Sequence, residues 1–317
     1  MSGALDLITV GRVSVDLYAT ELGVSFLEKQ TFAKSIGGSP TNVAVAAAQY
    51  GLAAAVVTKV GSDQLGEYVR TRLSEFGVDA RFVGTDSSAP TPVVLAALDP
   101  PEDPQIAFYR GAAAPDTTCS VSDVSAQEIR SARAFWMSVG ALAQGSTAAA
   151  SFEWLAMRNR APFTILDLDY RPTLWPDLAT ARAAALRAIA FSTVVLGNRA
   201  ECEMAIGETE PDAAADALLG LGIELAIIKL GGGGVLLATA DERIRVTPVP
   251  ITVVCGLGAG DAFGGALVYG LLSGWPLAEV GAFANAAGGH VAGELTCADA
   301  MPQEDRVREL MKKGATS

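Results

Sequence analysis

Ala54-Ala55-Val56-Val57-Thr58-Lys59-Val60-Gly61-Ser62-Asp63-Gln64-Leu65 holds a strand, a turn and the start of a helix in one short run. The β-rich segment 54–60 is apolar almost throughout and stops at a glycine, the pattern of a strand buried on both faces. Gly61-Ser62-Asp63 then opens a helix whose apolar residues Leu65, Val69, Leu73 and Phe76 keep helical spacing until Gly77 ends it. The same unit recurs outward from this point. Leu5 to Gly11 predicts a strand, and Ser39-Pro40 starts a helix carrying Val43, Ala46, Ala47 and Tyr50 up to Gly51. Further strands are expected at Ala134–Val139, Phe163–Leu168, Thr193–Gly197 and Leu225–Leu230. Helices are expected around 146–159, 178–190 and 211–221, with an amphipathic one from Gln303 to Lys313. Such alternation predicts a doubly wound α/β fold, a mostly parallel sheet covered by helices on both faces.

Two stretches break the alternation. Val13–Lys34 and Pro92–Arg110 pattern as extended pairs with no room for a crossover helix, and Asp99-Pro100-Pro101-Glu102-Asp103-Pro104 is too proline-dense for one. They predict a small antiparallel β-sheet lid, residues 13–34 and 91–111, projecting from a core of 1–12, 35–90 and 112–317. A lid there would close over the carboxyl ends of the parallel strands, where open α/β sheets bind ligands.

Of the 317 residues, 50% are hydrophobic and 18% charged, ample for a core. The balance of 23 basic and 35 acidic residues, a net −12, argues against nucleic acid or anionic membrane as partners. Four cysteines without paired spacing and the absence of a leader-like start predict a cytoplasmic protein with free thiols. One histidine, His290, excludes a His-rich metal site.

The sharpest chemical signal is Cys255-Gly256-Leu257-Gly258-Ala259-Gly260-Asp261-Ala262-Phe263, after the β-rich Ile251–Val254 and before a helical pattern running through Leu271. Alternating glycines at a helix N-terminus let backbone N–H groups converge on an anion. A carboxylate beside such a hole would repel a phosphate, so Asp261 is better suited to take a proton from an attacking hydroxyl. The alternative is an Asp that simply caps the helix. The run lacks the Gly-Lys-Ser/Thr ending of a Walker loop and the third glycine of a dinucleotide fingerprint. A second signal, Ile36-Gly37-Gly38-Ser39-Pro40-Thr41-Asn42, allows a ligand close to backbone with Asn42 projecting toward it, or is an ordinary loop before a capped helix.

Together the early Gly-Gly-x-x-x-Asn and the late Gly-x-Gly-Ala-Gly-Asp-Ala-Phe resemble the two signatures of the ribokinase-like sugar kinases, the phosphofructokinase-B type. The resemblance extends over nearly the whole chain, through Asp16, Gly197-Asn198-Arg199-Ala200-Glu201, Lys229-Leu230-Gly231-Gly232-Gly233-Gly234 and Phe283-Ala284-Asn285. It implies that Asp261 is the base and that the amides of Gly258, Ala259 and Gly260 form the anion hole. It also implies Asp16, Gly37, Gly38 and Asn42 at the sugar. ATP would meet Asn198, Glu201, Lys229, Gly231, Gly234, Gly256, Gly258, Gly260 and Asn285, with Glu201 ordering Mg²⁺ through water. Asn198 and Glu201 are also positioned to cap a helix, and Asn285 to pack inside one. Many relatives carry an Asp-Thr-Thr-like triplet where this chain has Cys255-Gly256-Leu257, so the usual ligands for a monovalent cation are missing.

Tyr109-Arg110 and Asp167-Leu168-Asp169-Tyr170-Arg171 each place an arginine at a strand end. Arginine pairs with a carboxylate through two parallel hydrogen bonds. With Lys34, and with Tyr109 and Asp169 beside the arginines, they form a candidate grip on an acidic sugar; solvated surface charges are the alternative. The segments 11–17, 31–42 and 296–302 resemble the branch of the family acting on 5-dehydro-2-deoxygluconate in inositol breakdown, which shares Leu257. That likeness implies ATP-dependent phosphorylation of the C6 hydroxyl, with kinases of 2-keto-3-deoxygluconate or fructose as alternatives and a non-catalytic sugar sensor behind them. It also implies a homodimer formed through the lid.

Overall fold

The opening strand forms as Ala54–Val60 and pairs in parallel with Leu7–Val10, Leu7 opposite Ala54. The computed structural model describes residues 4–111 and 113–314. In chain order its strands begin with β1 (Leu7–Val10), β2 (Ser14–Ala19), β3 (Phe32–Gly37), β4 (Ala54–Val60), β5 (Val83–Thr85), β6 (Val93–Ala97) and β7 (Gln105–Tyr109). Then come β8 (Ala134–Ser138), β9 (Thr164–Asp167), β10 (Val194–Asn198), β11 (Leu225–Lys229), β12 (Val235–Ala238) and β13 (Arg243–Val246). Nine of them make one sheet in the order β13-β12-β11-β10-β9-β8-β1-β4-β5. All its pairings are parallel except β11–β12 and β12–β13, a hairpin extension at one edge.

Both faces of this sheet are covered. Successive residues of β1 point to opposite sides: Leu7 joins one hydrophobic cluster, while Ile8 and Val10 join another. The first cluster is capped by helices Ser39–Gln49, Gln64–Glu75, Ala259–Leu272 and Leu277–Ala292, the second by Gly145–Arg158, Leu178–Ile189 and Pro211–Gly220. Where helix Ala259–Leu272 crosses helix Ser39–Gln49, a Cβ on Gly265 would lie 2.8 Å from the Ala47 amide nitrogen and closer still to Ala46. Only a glycine permits that approach, which draws the first turns of the two helices together.

The remaining strands form a second sheet, β3-β2-β6-β7. Each hairpin is antiparallel, as expected, and β2 joins β6 in parallel to link them. The β-rich Ile251–Val254 is not a strand. It follows Pro248 and Pro250, and the amides of Val254 and Cys255 both donate to the Ala292 carbonyl instead of a sheet partner. All four cysteines are buried and free. No helix among the described residues is long and apolar enough to cross a membrane.

Candidate active site

The carboxyl ends of adjacent parallel strands bring the chemistry together. Arg12 follows β1, Asp167, Asp169 and Arg171 end or follow β9, Asn198 ends β10 and Lys229 ends β11. The second sheet lies over them. Its side chains alternate, so Ser14, Asp16, Tyr18, Val94, Ile106 and Phe108 face inward and line a cavity. Gly38, Asn42, Arg12, Arg110, Arg171, Gly258, Asp261 and Cys297 also line it.

Asp261 lies in the first turn of helix Ala259–Leu272. Asn42 Nδ2 donates to its Oδ2 at 2.8 Å, which leaves Oδ1 as the oxygen free to take a proton. Burial pushes the Asp261 carboxyl up to about 6, against the pull of the Asn42 hydrogen bond, so it is largely ionised at neutral pH. The N-cap is Gly258, at φ 79° in the left-handed region, and Asp261 makes no side-chain cap. Asp261 is therefore not the ordinary helix cap, and its carboxylate points to the cavity. Among the described residues, the amides of Gly258, Ala259 and Gly260 donate to no protein group. Gly256 differs: its amide donates to the Pro101 carbonyl at 2.9 Å, so the tip of the second sheet already occupies it.

Asp16 accepts from Ser14 Oγ at 2.5 Å and from Tyr18 OH at 3.0 Å, and burial raises its carboxyl to about 6. Gly37 backs it, since a Cβ there would overlap the carboxylate, but does not line the cavity. Ser14 and Tyr18 escaped the sequence reading, although two-residue alternation from Asp16 along β2 points to both. The same alternation corrects two expectations. Lys34 and Tyr109 lie on the outer face: Lys34 Nζ sits 3.9 Å over the Tyr68 ring, and Tyr109 is 67% exposed. Neither lines the cavity.

Arg110 and Arg171 do line it. Arg110 Nη2 donates to the buried Asp116 at 2.9 Å. Asp169 stands behind the wall and holds Arg12 at 2.7 Å and Arg171 at 3.1 Å. Burial would raise its carboxyl, yet Arg12 and Arg171 together hold it below the usual carboxylate range. Asp169 is thus a support for arginines rather than a wall of the cavity.

A second cavity of about 560 Å³ adjoins the first. Lys229, Gly231, Gly234, Gly256, Ala259, Gly260 and Asn285 line it, with Glu102 reaching in from the second sheet. The start of helix Ala259–Leu272 stands between the cavities, Ala259 and Gly260 on this side and Asp261 on the other. Asn285 Nδ2 donates to the Thr247 carbonyl at 3.0 Å, which engages it in the fold. Asn198 and Glu201 form a reciprocal cap: Glu201 N donates to Asn198 Oδ1 at 2.9 Å, and Asn198 N to Glu201 Oε2 at 2.6 Å. Neither lines the second cavity, and the capping alternative is the one the geometry displays. Lys229 Nζ bridges to Asp167 at 3.3 Å and Glu201 at 3.7 Å. Burial raises the Asp167 carboxyl, with Lys229 opposing and Glu201 adding to the rise. No cluster of three metal-ligating side chains occurs among the described residues.

A basic lysine, free amides and glycines on one side of a wall, and a carboxylate base on the other, suit transfer of a phosphoryl group between two substrates. Known proteins agree with that chemistry. A 5-dehydro-2-deoxygluconokinase of Geobacillus thermodenitrificans (strain NG80-2) is 30% identical over 315 residues, 97% of this chain and 93% of its own. One of Clostridium tetani (strain Massachusetts / E88) is 28% identical over 320 residues, covering 98% and 93%. Among solved structures, a PfkB protein from Polaromonas sp. JS666 superposes with TM-score 0.82 at 26% identity, over 93% of this chain and 98% of that one. A fructokinase from Xylella fastidiosa with bound ATP shares the fold, at TM-score 0.85 and 24% identity over 98% and 99%. The model of the pfkB family carbohydrate kinases matches residues 4–304, and the chain belongs to that family.

Proposed function

We propose that this carbohydrate kinase transfers the γ-phosphoryl group of ATP to the C6 hydroxyl of an acidic keto-sugar, 5-dehydro-2-deoxy-D-gluconate, in inositol breakdown. The observation that carries the substrate class is that Arg110 and Arg171 line the same cavity as Asp261. A neutral sugar needs no such cations, whereas a carboxylate is well matched by guanidinium groups. The relatives named 5-dehydro-2-deoxygluconokinase support the choice of acid.

In this mechanism Asn42 holds one oxygen of Asp261, and the other accepts the hydroxyl proton as the sugar oxygen attacks phosphorus. The amides of Gly258, Ala259 and Gly260 receive the charge spread over the phosphoryl oxygens, and ADP leaves on the Lys229 side. A hydrated Mg²⁺ would come with the nucleotide and meet Glu201 only through water, since Glu201 and Asp167 are tied to Lys229 and line neither cavity. Mg²⁺, when bound, neutralises phosphate charge.

Steady-state kinetics with the acidic sugar, 2-keto-3-deoxygluconate and fructose test the substrate. Arg110→Ala and Arg171→Ala are each expected to raise KM for the acid by about tenfold or more, and KM for ATP far less. Equal changes in the two KM values would remove the arginines from sugar binding.

The second sheet is proposed as a lid that a second copy covers. Its outer face exposes Phe32 at 38% and Tyr109 at 67%, and the loop between β2 and β3 exposes Leu27 at 98%. A homodimer through this face predicts that Tyr109→Glu shifts the sedimenting species toward monomer; a wild-type monomer at micromolar concentration would defeat it.

A further inference from the structure

Arg12, Arg110 and Arg171 all line the sugar cavity. Their ion-pair partners are two buried carboxylates: Asp169 takes Arg12 and Arg171, and Asp116 takes Arg110. Arg12 and Arg171 thus share one carboxylate. Asp16 and Asp261, the carboxylates that line the cavity itself, accept from Ser14, Tyr18 and Asn42 rather than from an arginine.

Arg12 is held closely, its side chain largely buried. Its Nη2 donates to Asp169 Oδ2 at 2.7 Å, while its Nη1 is buried and bonded to no protein group. A Cβ on Gly140 would overlap that Nη1, so the guanidinium occupies space that any other residue at 140 would fill. Arg12, Arg110, Asp116 and Gly140 also line a small adjoining cavity of about 10 Å³, close to the room one water takes. Asp116 Oδ2 is, like Arg12 Nη1, buried without a protein partner. Leaving a charged donor and acceptor unmatched is costly unless a ligand or water completes them.

We propose that Arg12 is a specificity-determining residue, seated against Gly140 and oriented by Asp169, whose guanidinium joins those of Arg110 and Arg171 at the cavity wall in selecting a sugar that bears a carboxylate. Arg110 and Arg171 complete the grip, and the small cavity ties the Arg12 and Arg110 pairs into one network. The proposal rests on the acidic-sugar assignment above. It goes beyond it in naming the residue that discriminates acid from neutral sugar.

The test compares kcat/KM for 5-dehydro-2-deoxy-D-gluconate and for fructose in the full-length wild type, Arg12→Gln and Gly140→Ala, with KM for ATP followed in each. The wild type is expected to prefer the acid. Arg12→Gln should reduce the acid-to-neutral ratio by about 30-fold or more, the scale expected when one partner of a buried charged contact is removed. Gly140→Ala keeps every charge but unseats the guanidinium, and should lower the ratio in the same direction by a smaller factor. Arg12→Lys should restore part of it. KM for ATP should change far less than KM for the acid. Parallel loss on both sugars, or an unchanged ratio, makes Arg12 a structural ion-pair residue and overturns the proposal. Should Arg12→Gln lose its near-ultraviolet circular dichroism, Gly140→Ala decides by the same ratio. A wild type that prefers fructose defeats the acidic-sugar assignment itself, and that result is visible before any variant is made.

Discussion

Asp261→Asn is expected to lose phosphoryl transfer by about 10²-fold or more in kcat while KM for the sugar changes little, the pattern of a group acting mainly in the transition state. The amide keeps the shape and keeps an oxygen to accept from Asn42 Nδ2, so the loss reports the missing base. Wild-type kcat/KM should fall as pH drops through about 6, where burial has moved this carboxyl, because only the ionised form takes a proton. In the Asn variant the limb due to Asp261 disappears. The same substitution should make the protein harder to unfold at pH 7.5. A carboxyl raised from 3.8 to about 6 destabilises the folded state once it ionises, by up to about 3 kcal/mol above the folded pKa, and by nothing below pH 3.8. The gain in melting temperature is therefore expected at pH 7.5 and absent near pH 4. A fully active, no more stable Asn variant would take Asp261 out of the mechanism.

Gly258→Ala is the second large effect. Gly258 adopts φ 79°, and a Cβ there would stand 2.5 Å from Cys297 Sγ and 2.7 Å from Cys297 Cβ. The cap has to shift, and the amides of Ala259 and Gly260 shift with it. Displacing such donors costs about 10²–10³ in kcat. Strain at the left-handed position adds a stability loss on the order of 1–3 kcal/mol. Adding Cys297→Gly to the variant removes both contacting atoms, so part of the activity should return while the backbone strain remains. Full activity in Gly258→Ala alone would mean that the phosphoryl group is held elsewhere.

The layered core was legible because buried parallel strands have to be apolar on both faces. Residues 54–60 and 225–229 therefore announce themselves, and Gly51 and Gly77 mark the ends of helices Ser39–Gln49 and Gln64–Glu75. The hairpin β12–β13 left a weaker trace, since Arg243 and Arg245 interrupt the apolar pattern on an exposed edge. Ile251–Val254 is β-rich without being a strand, because β-branched composition measures fit to a sheet, and here the Val254 and Cys255 amides go to the Ala292 carbonyl instead. In the candidate site, the residues legible in sequence were those whose type carries the chemistry, such as Asp261 and the free glycine amides. Lys34 and Tyr109 went astray because basic or aromatic character says nothing about which side of a strand a residue faces. The place of Arg12 depends on Gly140, brought beside it by the pairing of β1 with β8, a contact the chain order does not show.

The crossing of helix Ala259–Leu272 over helix Ser39–Gln49 has a consequence for how this chain tolerates change. Gly265 faces Ala46 across a seam where neither side has a methyl group to spare. The hydrogen bond from Asn42 to Asp261 is made one turn away, so its length is fixed by interior contacts that never meet a ligand. Enlarging either small residue would pry the donor from the acid and detune proton transfer from a position the substrates cannot reach. Positions 46 and 265 are thus bound by the same constraint as the carboxylate proposed as base.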